Sequence, residues 1–380
     1  MKNKEEQTAP KLRFKGYTDA WQQQKGSLIF KSKIEKGFPN LTVLSATQNK
    51  GMVPRNKIGV DIKTSRTSLE SYKRIEPGDF VIHLRSFQGG FAYSGIEGIG
   101  SPAYTVFSFK APENFNDNFW KEKFTSYNFI QSLKKVTYGV RDGRSISYSD
   151  FLTLNQKFPL KSEQDEIGKL LSKLDETITL LQRKKTKYEE LKMALLQNLF
   201  PKKGQVVPIL RFKNFQNDWQ QSKLEDRLEI NSGKDYKGLN KGKIPVYGTG
   251  GYMLSVDKSL SEKNAIGIGR KGTINKPQLL HAPFWTVDTL FYLTPKANNN
   301  LIFLFYLFQK INWSKYDEST GLPSLSKKTI NNIKESTPSN SEQKKIGNLL
   351  SKIDTVITLL HNQLSNLENL KQFLLQNMFI

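Results

Sequence analysis

Ser162–Phe200 reads SEQDEIGKLLSKLDETITLLQRKKTKYEELKMALLQNLF, and Ser341–Phe379 reads SEQKKIGNLLSKIDTVITLLHNQLSNLENLKQFLLQNMF. The two stretches align at a constant offset of 179 without a gap, and 22 of their 39 positions are identical. A repeat this long and gap-free is one structural unit used twice. Its periodicity predicts a helix. In the first copy Ile167, Leu171, Leu174, Ile178 and Leu181 step by four and three, which places them on one stripe. The second copy carries Ile346, Leu350, Ile353, Ile357 and Leu360 in the same rhythm, continued by Leu364 and Leu367. Leu367 to Leu370 then steps by three again before Leu374, a stammer that overwinds a coiled coil locally. Ser162 and Ser341 are the expected N-caps, and Pro159 and Pro338, just upstream, limit extension backwards. At the α-helical rise each helix would span about 58 Å. Patterns of this length favour two helices packed on each other over separate amphipathic helices lying on a globular core. Identity extends to polar positions such as Gln197 and Asn198, repeated as Gln376 and Asn377, which points to a shared partner surface.

A shorter repeat opens each half. Pro10–Trp21 reads PKLRFKGYTDAW and Pro208–Trp219 reads PILRFKNFQNDW, at an offset of 198. The chain therefore divides into a first domain (1–160), a helix (161–200), a short linker (201–207, PKKGQVV), a second domain (208–340) and a second helix (341–380). Residues 144–147 (RSIS) and 323–326 (PSLS) also match at the 179 offset, so each domain enters its helix through the same final segment. Between these ends the halves diverge. Strand-like runs at Asp79–Leu84, Tyr104–Phe109, Ile244–Tyr247, Ala265–Ile268 and Thr289–Leu293 alternate with glycine-rich turns. Helical patterns at Trp120–Lys134 and Leu301–Ile311 complete an α+β composition. Matching ends around differing middles imply a duplicated binder whose copies recognise different things. The first helix delivers the chain into the second domain, so a second helix that packs along it must run back. The expected architecture is two α+β domains separated by a pair of long antiparallel coiled-coil helices, with an internal pseudo-twofold repeat.

The chain of 380 residues carries a formal net charge of +23 and no cysteine. Disulfides and thiolate metal sites are excluded, which fits a reducing, cytoplasmic setting. The opening MKNKEEQTAPKLRF lacks the apolar core of a signal peptide, and the most apolar run, Leu301–Phe308, is too short to span a bilayer. Such a basic balance implies a polyanionic partner. Nucleic acid fits better than a membrane, because no basic amphipathic anchor is present.

Catalytic signatures are missing. The sequence has no P-loop, and Ile266–Gly269 holds only half of a dinucleotide fingerprint. The asparagine–proline–proline–aromatic tetrapeptide of adenine amino-methyltransferases is absent, and His83, His281 and His361 lie too far apart to form a metal motif. Asp165-Glu166 and Glu189-Glu190 read as helix-surface charge. No catalytic and no metal-ligating residue is therefore assigned. What remains are loops mixing basic, polar and aromatic residues with glycine. In the first domain these contain Arg85, Gln88 and Gly89, then Tyr138, Arg141 and Arg144. In the second they contain Tyr252, then Arg270, Lys271 and Thr273, then Thr320. Arg and Gln pair bidentately with guanine and adenine edges, while Lys, Thr and glycine amides suit phosphates. Any one of these loops also reads as a plain turn; it is their concentration between the repeated ends that argues for DNA binding.

Taken together, SEQ..IG.LLSK.D..I.LL followed by LK..LLQN.F, twice, and the PKLRF and PILRF openings resemble the specificity (S) subunit of Type I restriction–modification enzymes. Gly98–Tyr104 (GIGSPAY), Gly267–Thr273 (GIGRKGT) and Ala282–Asp288 (APFWTVD) also look like target-recognition-domain sequence. The resemblance covers nearly the whole chain. It implies two target recognition domains, each reading half of a bipartite double-stranded DNA target, with the helices setting the gap. It further implies two modification subunits that carry S-adenosylmethionine and methylate adenine, and restriction subunits that use ATP and Mg2+. This chain itself would hold no cofactor. The polar centre of the first helix, Arg183–Lys187, against apolar Leu364 and Leu367 in the second copy, departs from perfect internal symmetry. Two other readings compete: a stand-alone nuclease or methyltransferase with an unrecognised active site, and a coiled-coil scaffold whose charge is incidental.

Overall fold

The computed structural model describes residues 8–47, 50–59, 65–83, 90–134, 136–138, 145–202 and 204–380. The chain forms two compact units, one of Met1–Leu181 with Gln363–Ile380 and the other of Gln182–Asn362. Each unit contains the start of one long helix and the end of the other; the helices run Lys161–Asn198 and Asn340–Asn377. Both begin earlier than the serines predicted to cap them. Leu160 and Ser339 occupy the position before the first turn, where their carbonyls accept from the amides of Gln164 and Gln343 at 3.1 and 2.9 Å. Ser162 and Ser341 thus lie inside the first turn. The restriction imposed by each proline falls on the residue before it, which leaves the chain free to turn helical soon afterwards.

The two units share a topology. In the first, the strands Phe30–Lys33, Thr105–Phe109, Phe80–Ile82 and Phe91–Tyr93 form an antiparallel sheet in that spatial order. In the second, Leu228–Ser232, Leu290–Pro295, Ala265–Gly269 and Gln278–Leu280 do the same. Numbered along the chain, both orders are first, fourth, second, third. A two-stranded ribbon accompanies each sheet, Gln22–Lys25 with Asn155–Phe158 and Gln220–Lys223 with Lys334–Thr337. The helical pattern predicted over Trp120–Lys134 is two helices, Asp117–Thr125 and Tyr127–Leu133, because the Ser126 side chain accepts from the Phe129 amide and caps the second.

Different side chains fill the two cores. The first is aromatic: Phe30, Phe80, Phe91, Phe107, Trp120, Phe124 and Phe151 pack mostly edge-on or tilted, as ring quadrupoles prefer. The second relies on Ile266, Ile268, Leu293, Leu304, Leu307 and Ile330 around Phe303 and Trp313. Beside its main sheet the second unit adds the strands Gly251–Val256, Lys241–Gly248 and Trp285–Thr286 over a smaller core of Val246, Val256 and Phe284. The first unit has at this stage a hairpin, Leu44–Thr47 with Gly51–Pro54, and a strand pair, Lys73–Ile75 with Gly98–Gly100.

The two sequence repeats meet in an ion pair. Arg13 of the short repeat donates to both carboxylate oxygens of Glu163 in the long repeat, at 2.7 and 2.8 Å. In the second unit Arg211 donates to both oxygens of Glu342 at 2.9 Å. Both glutamate side chains are only 1 % exposed. Hydrogen bonding to the carboxylate pushes each guanidinium's pKa up. Next to each glutamate, the amide nitrogen of Gln164 donates to the Pro159 carbonyl and that of Gln343 to the Pro338 carbonyl, at 2.9 and 3.0 Å. The SEQ tripeptide therefore docks each helix start onto its own domain.

The glycine five residues after each glutamate has a steric reason. A Cβ on Gly168 would lie 2.4 Å from Asn116 Oδ1, and one on Gly347 would lie 3.0 Å from Asn300 Oδ1. Those oxygens accept from the amides of Phe119 and Phe303 at 2.9 Å, capping the helices Asp117–Thr125 and Leu301–Lys310.

Within each unit the long helices run antiparallel. In the first, Lys371 pairs with Asp175 at 2.6 Å and with buried Glu122 at 2.9 Å, while Phe379 packs on Phe119 beside Gly168. In the second, Lys192 pairs with Asp354 at 2.7 Å, while Phe200 stacks on Phe303 beside Gly347. Burial pushes the Asp175 carboxyl up, but Lys371 and Lys121 outweigh it and hold the group below its usual value. Where the first unit has Glu122 the second has Tyr306, whose hydroxyl donates to Asp354 at 2.7 Å. Burial and that carboxylate push its pKa up. Of the predicted stripe, Ile167, Leu171, Leu174, Ile346, Leu350, Ile353 and Leu360 are buried, and Ile178, Leu181 and Ile357 are half-buried.

Candidate nucleic-acid interface

Three loops singled out in the second half come together. The strands Lys241–Gly248 and Gly251–Val256 form a hairpin whose turn is held by Gln278; its side-chain amide donates to the carbonyls of Gly248 and Thr249 at 3.0 and 3.1 Å. The strand Ala265–Gly269 ends in the turn Arg270-Lys271-Gly272, where Gly272 has φ +89°, a region that favours glycine. This turn is laced to the loop around Thr320. The Gly272 amide donates to the Pro323 carbonyl at 2.8 Å, the Leu325 amide donates to the Arg270 carbonyl at 2.9 Å, and Lys271 bridges Ser324. Asp317 closes that loop by accepting from the amides of Ser324 and Ser319 at 2.9 and 3.0 Å and from the Ser319 hydroxyl at 3.0 Å. Those amides, that of Ser324 first, hold its carboxyl below the ordinary aspartate value.

Of the residues predicted to meet DNA, Tyr252, Arg270, Lys271 and Thr320 are exposed here and Thr273 is half-buried. The Arg270 guanidinium lies 6.0 Å from the centre of the Phe291 ring, and so does the Lys327 ammonium. Lys327 and Lys328 open the helix Lys327–Asn332, are exposed, and extend the basic surface beyond what the sequence reading assigned. Their signal was the Lys-Lys pair directly after Ser326 in the repeated domain ending.

In the first half, Arg85, Gln88, Gly89, Arg141 and Arg144 lie outside the described residues. Tyr138 belongs to the short strand Thr137–Tyr138, which pairs with Ser145–Ile146; its side chain is likewise outside the description. Among the described residues no group of three or more His, Asp or Glu side chains could hold a metal ion, and no helix is long and apolar enough to cross a membrane.

The fold is thus a duplicated α+β unit, and in its second copy the loops carrying Arg270, Lys271 and Thr320 are joined on an exposed basic surface. Residues 216–369 match the family model for the Type I restriction modification DNA specificity domain. The chain's fold is similar to the crystal structure of the Type I restriction–modification S subunit from M. genitalium. That match has a TM-score of 0.70 and 19 % identity, and covers 98 % of this chain and 99 % of that one. A chain from a structure of the type I R-M system, solved for its complex assembly and conformational transition, matches with a TM-score of 0.51 and 14 % identity over 93 % of this chain and 96 % of that one. The HsdS subunit from Thermoanaerobacter tengcongensis aligns at 0.46 and 15 % identity over 94 % and 96 %.

Proposed function

We propose that the chain is the non-catalytic DNA-reading subunit of a Type I restriction–modification complex. Each domain reads one half of a bipartite double-stranded target, and the paired helices set the gap and dock two modification subunits. Methyl transfer from S-adenosylmethionine, and ATP- and Mg2+-dependent cleavage, belong to the modification and restriction subunits. The observation that carries this reading is the convergence of the hairpin turn at Thr249, the Arg270–Gly272 turn and the Thr320 loop on one basic surface, within the segment that matches the DNA specificity family. Three-point lacing of the last two loops, with the hairpin turn held by Gln278, makes a prearranged contact surface, which lowers the ordering cost of binding. In the first domain, the Leu84–Gly89 and Gly139–Arg144 segments take the same role.

Methylome sequencing of cells carrying this chain with its modification subunits tests the reading. One bipartite motif with a fixed gap is expected, and the purified chain alone transfers no methyl group. Methylation by the isolated chain refutes it. The spacing role has its own test. Deleting Thr177–Arg183 and Val356–Asn362 together removes one heptad from each helix and keeps the Asp175–Lys371 and Asp354–Lys192 pairs. Each helix shortens by about 10 Å, so both half-sites persist with a shorter gap. Assembly with the modification subunits and methylation at the original spacing contradicts the spacing role.

A further inference from the structure

We infer that Tyr252, Met253 and Leu322 form an apolar reading surface in the second domain that recognises the 5-methyl group of thymine. The inference rests on the DNA-reading function proposed above and deepens it.

Between residues 211 and 340, all of them described, the exposed large apolar side chains are Tyr252 (63 %), Met253 (49 %) and Leu322 (66 %). The domain's opening segment also exposes Ile209 and Leu210, but between residues 211 and 340 every other large apolar side chain is at least partly covered, and these three all stand on the loop cluster just described. Tyr252 and Met253 follow the hairpin turn that Gln278 holds. Leu322 immediately precedes Pro323, whose carbonyl takes the Gly272 amide. The cluster's remaining exposed side chains include Arg270, Lys271, Lys327 and Lys328. Apolar groups among cations match a polyanion that presents apolar features between its phosphates. On a base-pair edge the thymine methyl is that feature; the other edge groups are donors and acceptors.

Tyr252 and the loop of Leu322 are also held in place. The Tyr252 hydroxyl lies 3.1 Å from Ser255 Oγ, which engages its polar end and leaves the ring to face a ligand. Leu322 sits on a loop closed from both sides by Asp317. Three residues on two separate elements, the hairpin strand and the Leu322 loop, make a surface rather than a single wedge, which favours reading a groove edge over prying a base step apart.

The test uses the complex with modification subunits and the target found by methylome sequencing. Each thymine of that target, on either strand, is replaced in turn by deoxyuridine, which lacks only the methyl group, and affinity is read by fluorescence anisotropy at one salt concentration. At one or more positions the wild-type complex is expected to lose about fourfold in affinity, the worth of burying one methyl group. Leu322→Ala, or Tyr252→Ser with Met253→Ala, should weaken the thymine duplex by a similar factor and show no further loss with deoxyuridine at that position. Because these side chains are exposed, the variants keep the fold, which a thermal melt verifies. Deoxyuridine tolerated at every position overturns the inference, as does a deoxyuridine loss that persists unchanged in the variants. A rise in 2-aminopurine fluorescence on binding, with deoxyuridine tolerated, also overturns it in favour of a stack-opening wedge. Preference for the target over a scrambled duplex, measured in the same assay, shows separately whether the DNA-reading function itself stands.

Discussion

Replacing Arg211 with alanine should expose how each domain grips its helix. The guanidinium donates two bonds at 2.9 Å to Glu342, which is 1 % exposed, and a third at 2.6 Å to the Asn217 carbonyl. Arg211→Ala leaves a buried carboxylate without its counter-charge. Breaking such a pair by removing one partner costs about 3–5 kcal/mol, far above what a solvent-screened surface pair is worth. For a unit of this size each kcal/mol moves the melting midpoint by about 2–4 °C, so the second unit's transition should fall by ~6–20 °C. Glu342→Gln in the same chain removes the stranded charge and should recover part of the loss. Calorimetry and urea unfolding of the single and double variants give the coupling energy. A loss below about 1 kcal/mol for Arg211→Ala, or no recovery on adding Glu342→Gln, would refute the assignment of a buried clamp. Arg13→Ala, stranding Glu163, should repeat the effect in the first unit.

Further outcomes follow from the same geometry. Gly168→Ala should destabilise the first unit by about 1–3 kcal/mol, although alanine is the better helix former by ~1 kcal/mol, because its methyl meets Asn116 Oδ1 at 2.4 Å; Gly347→Ala, at 3.0 Å, should cost less in a chemical denaturation series. Burial lowers the Lys123 ammonium to a pKa of about 7, against roughly 10.4 in an unfolded chain. The unfolded state therefore binds the extra proton between those values, and the first unit gains stability as pH rises from 7 toward 10. Urea unfolding at both ends of that window should show the gain in wild type and a smaller one in Lys123→Met. DNA affinity should fall steeply with salt, with a log–log slope of about −0.9 per neutralised phosphate. Arg270→Ala and Lys271→Ala should each flatten that slope by about one if they touch phosphate; unchanged affinity for both returns that turn to a purely structural role.

The long helices were legible because their signal is local: a 4-3 rhythm over dozens of residues, written twice. The shared sheet order of the two domains was not. It arises from strands such as Phe80–Ile82 (FVI) and Ala265–Gly269 (AIGIG), whose sequences differ and whose place in the sheet is set by pairing with distant strands. The clamps were half visible. Arg13 and Glu163 lay in two separate repeats, but their partnership crosses a sequence separation of 150 and their repeats have different offsets. In the second domain the three candidate loops read as separate turns; the bonds from Gly272 and Leu325 join two of them, and Gln278 holds the third from the neighbouring strand. Tyr252 and Leu322 escaped full recognition for another reason: an apolar residue next to a strand looks the same in sequence whether it is buried or presented. The serine caps were misplaced because proline restrains only its neighbours, and a helix can start one residue later.

The division of the chain also bears on its biogenesis. The second unit is one uninterrupted segment, Gln182–Asn362, so every contact inside it is available once that segment has left the ribosome. The first unit is split, and Leu374, Met378 and Phe379 belong to its core together with Trp120, Phe119 and Leu171. Its N-terminal part is made first but cannot close around those side chains until the whole second unit has been synthesised. Domains usually fold in order of synthesis; here the earlier one is completed last. A chain terminated just after residue 362 would release an intact second unit attached to a first one with an open aromatic core. Such a product is recognisable to chaperones and proteases by its exposed apolar surface, so translation errors tend to be cleared before they can compete with full-length chains for partners.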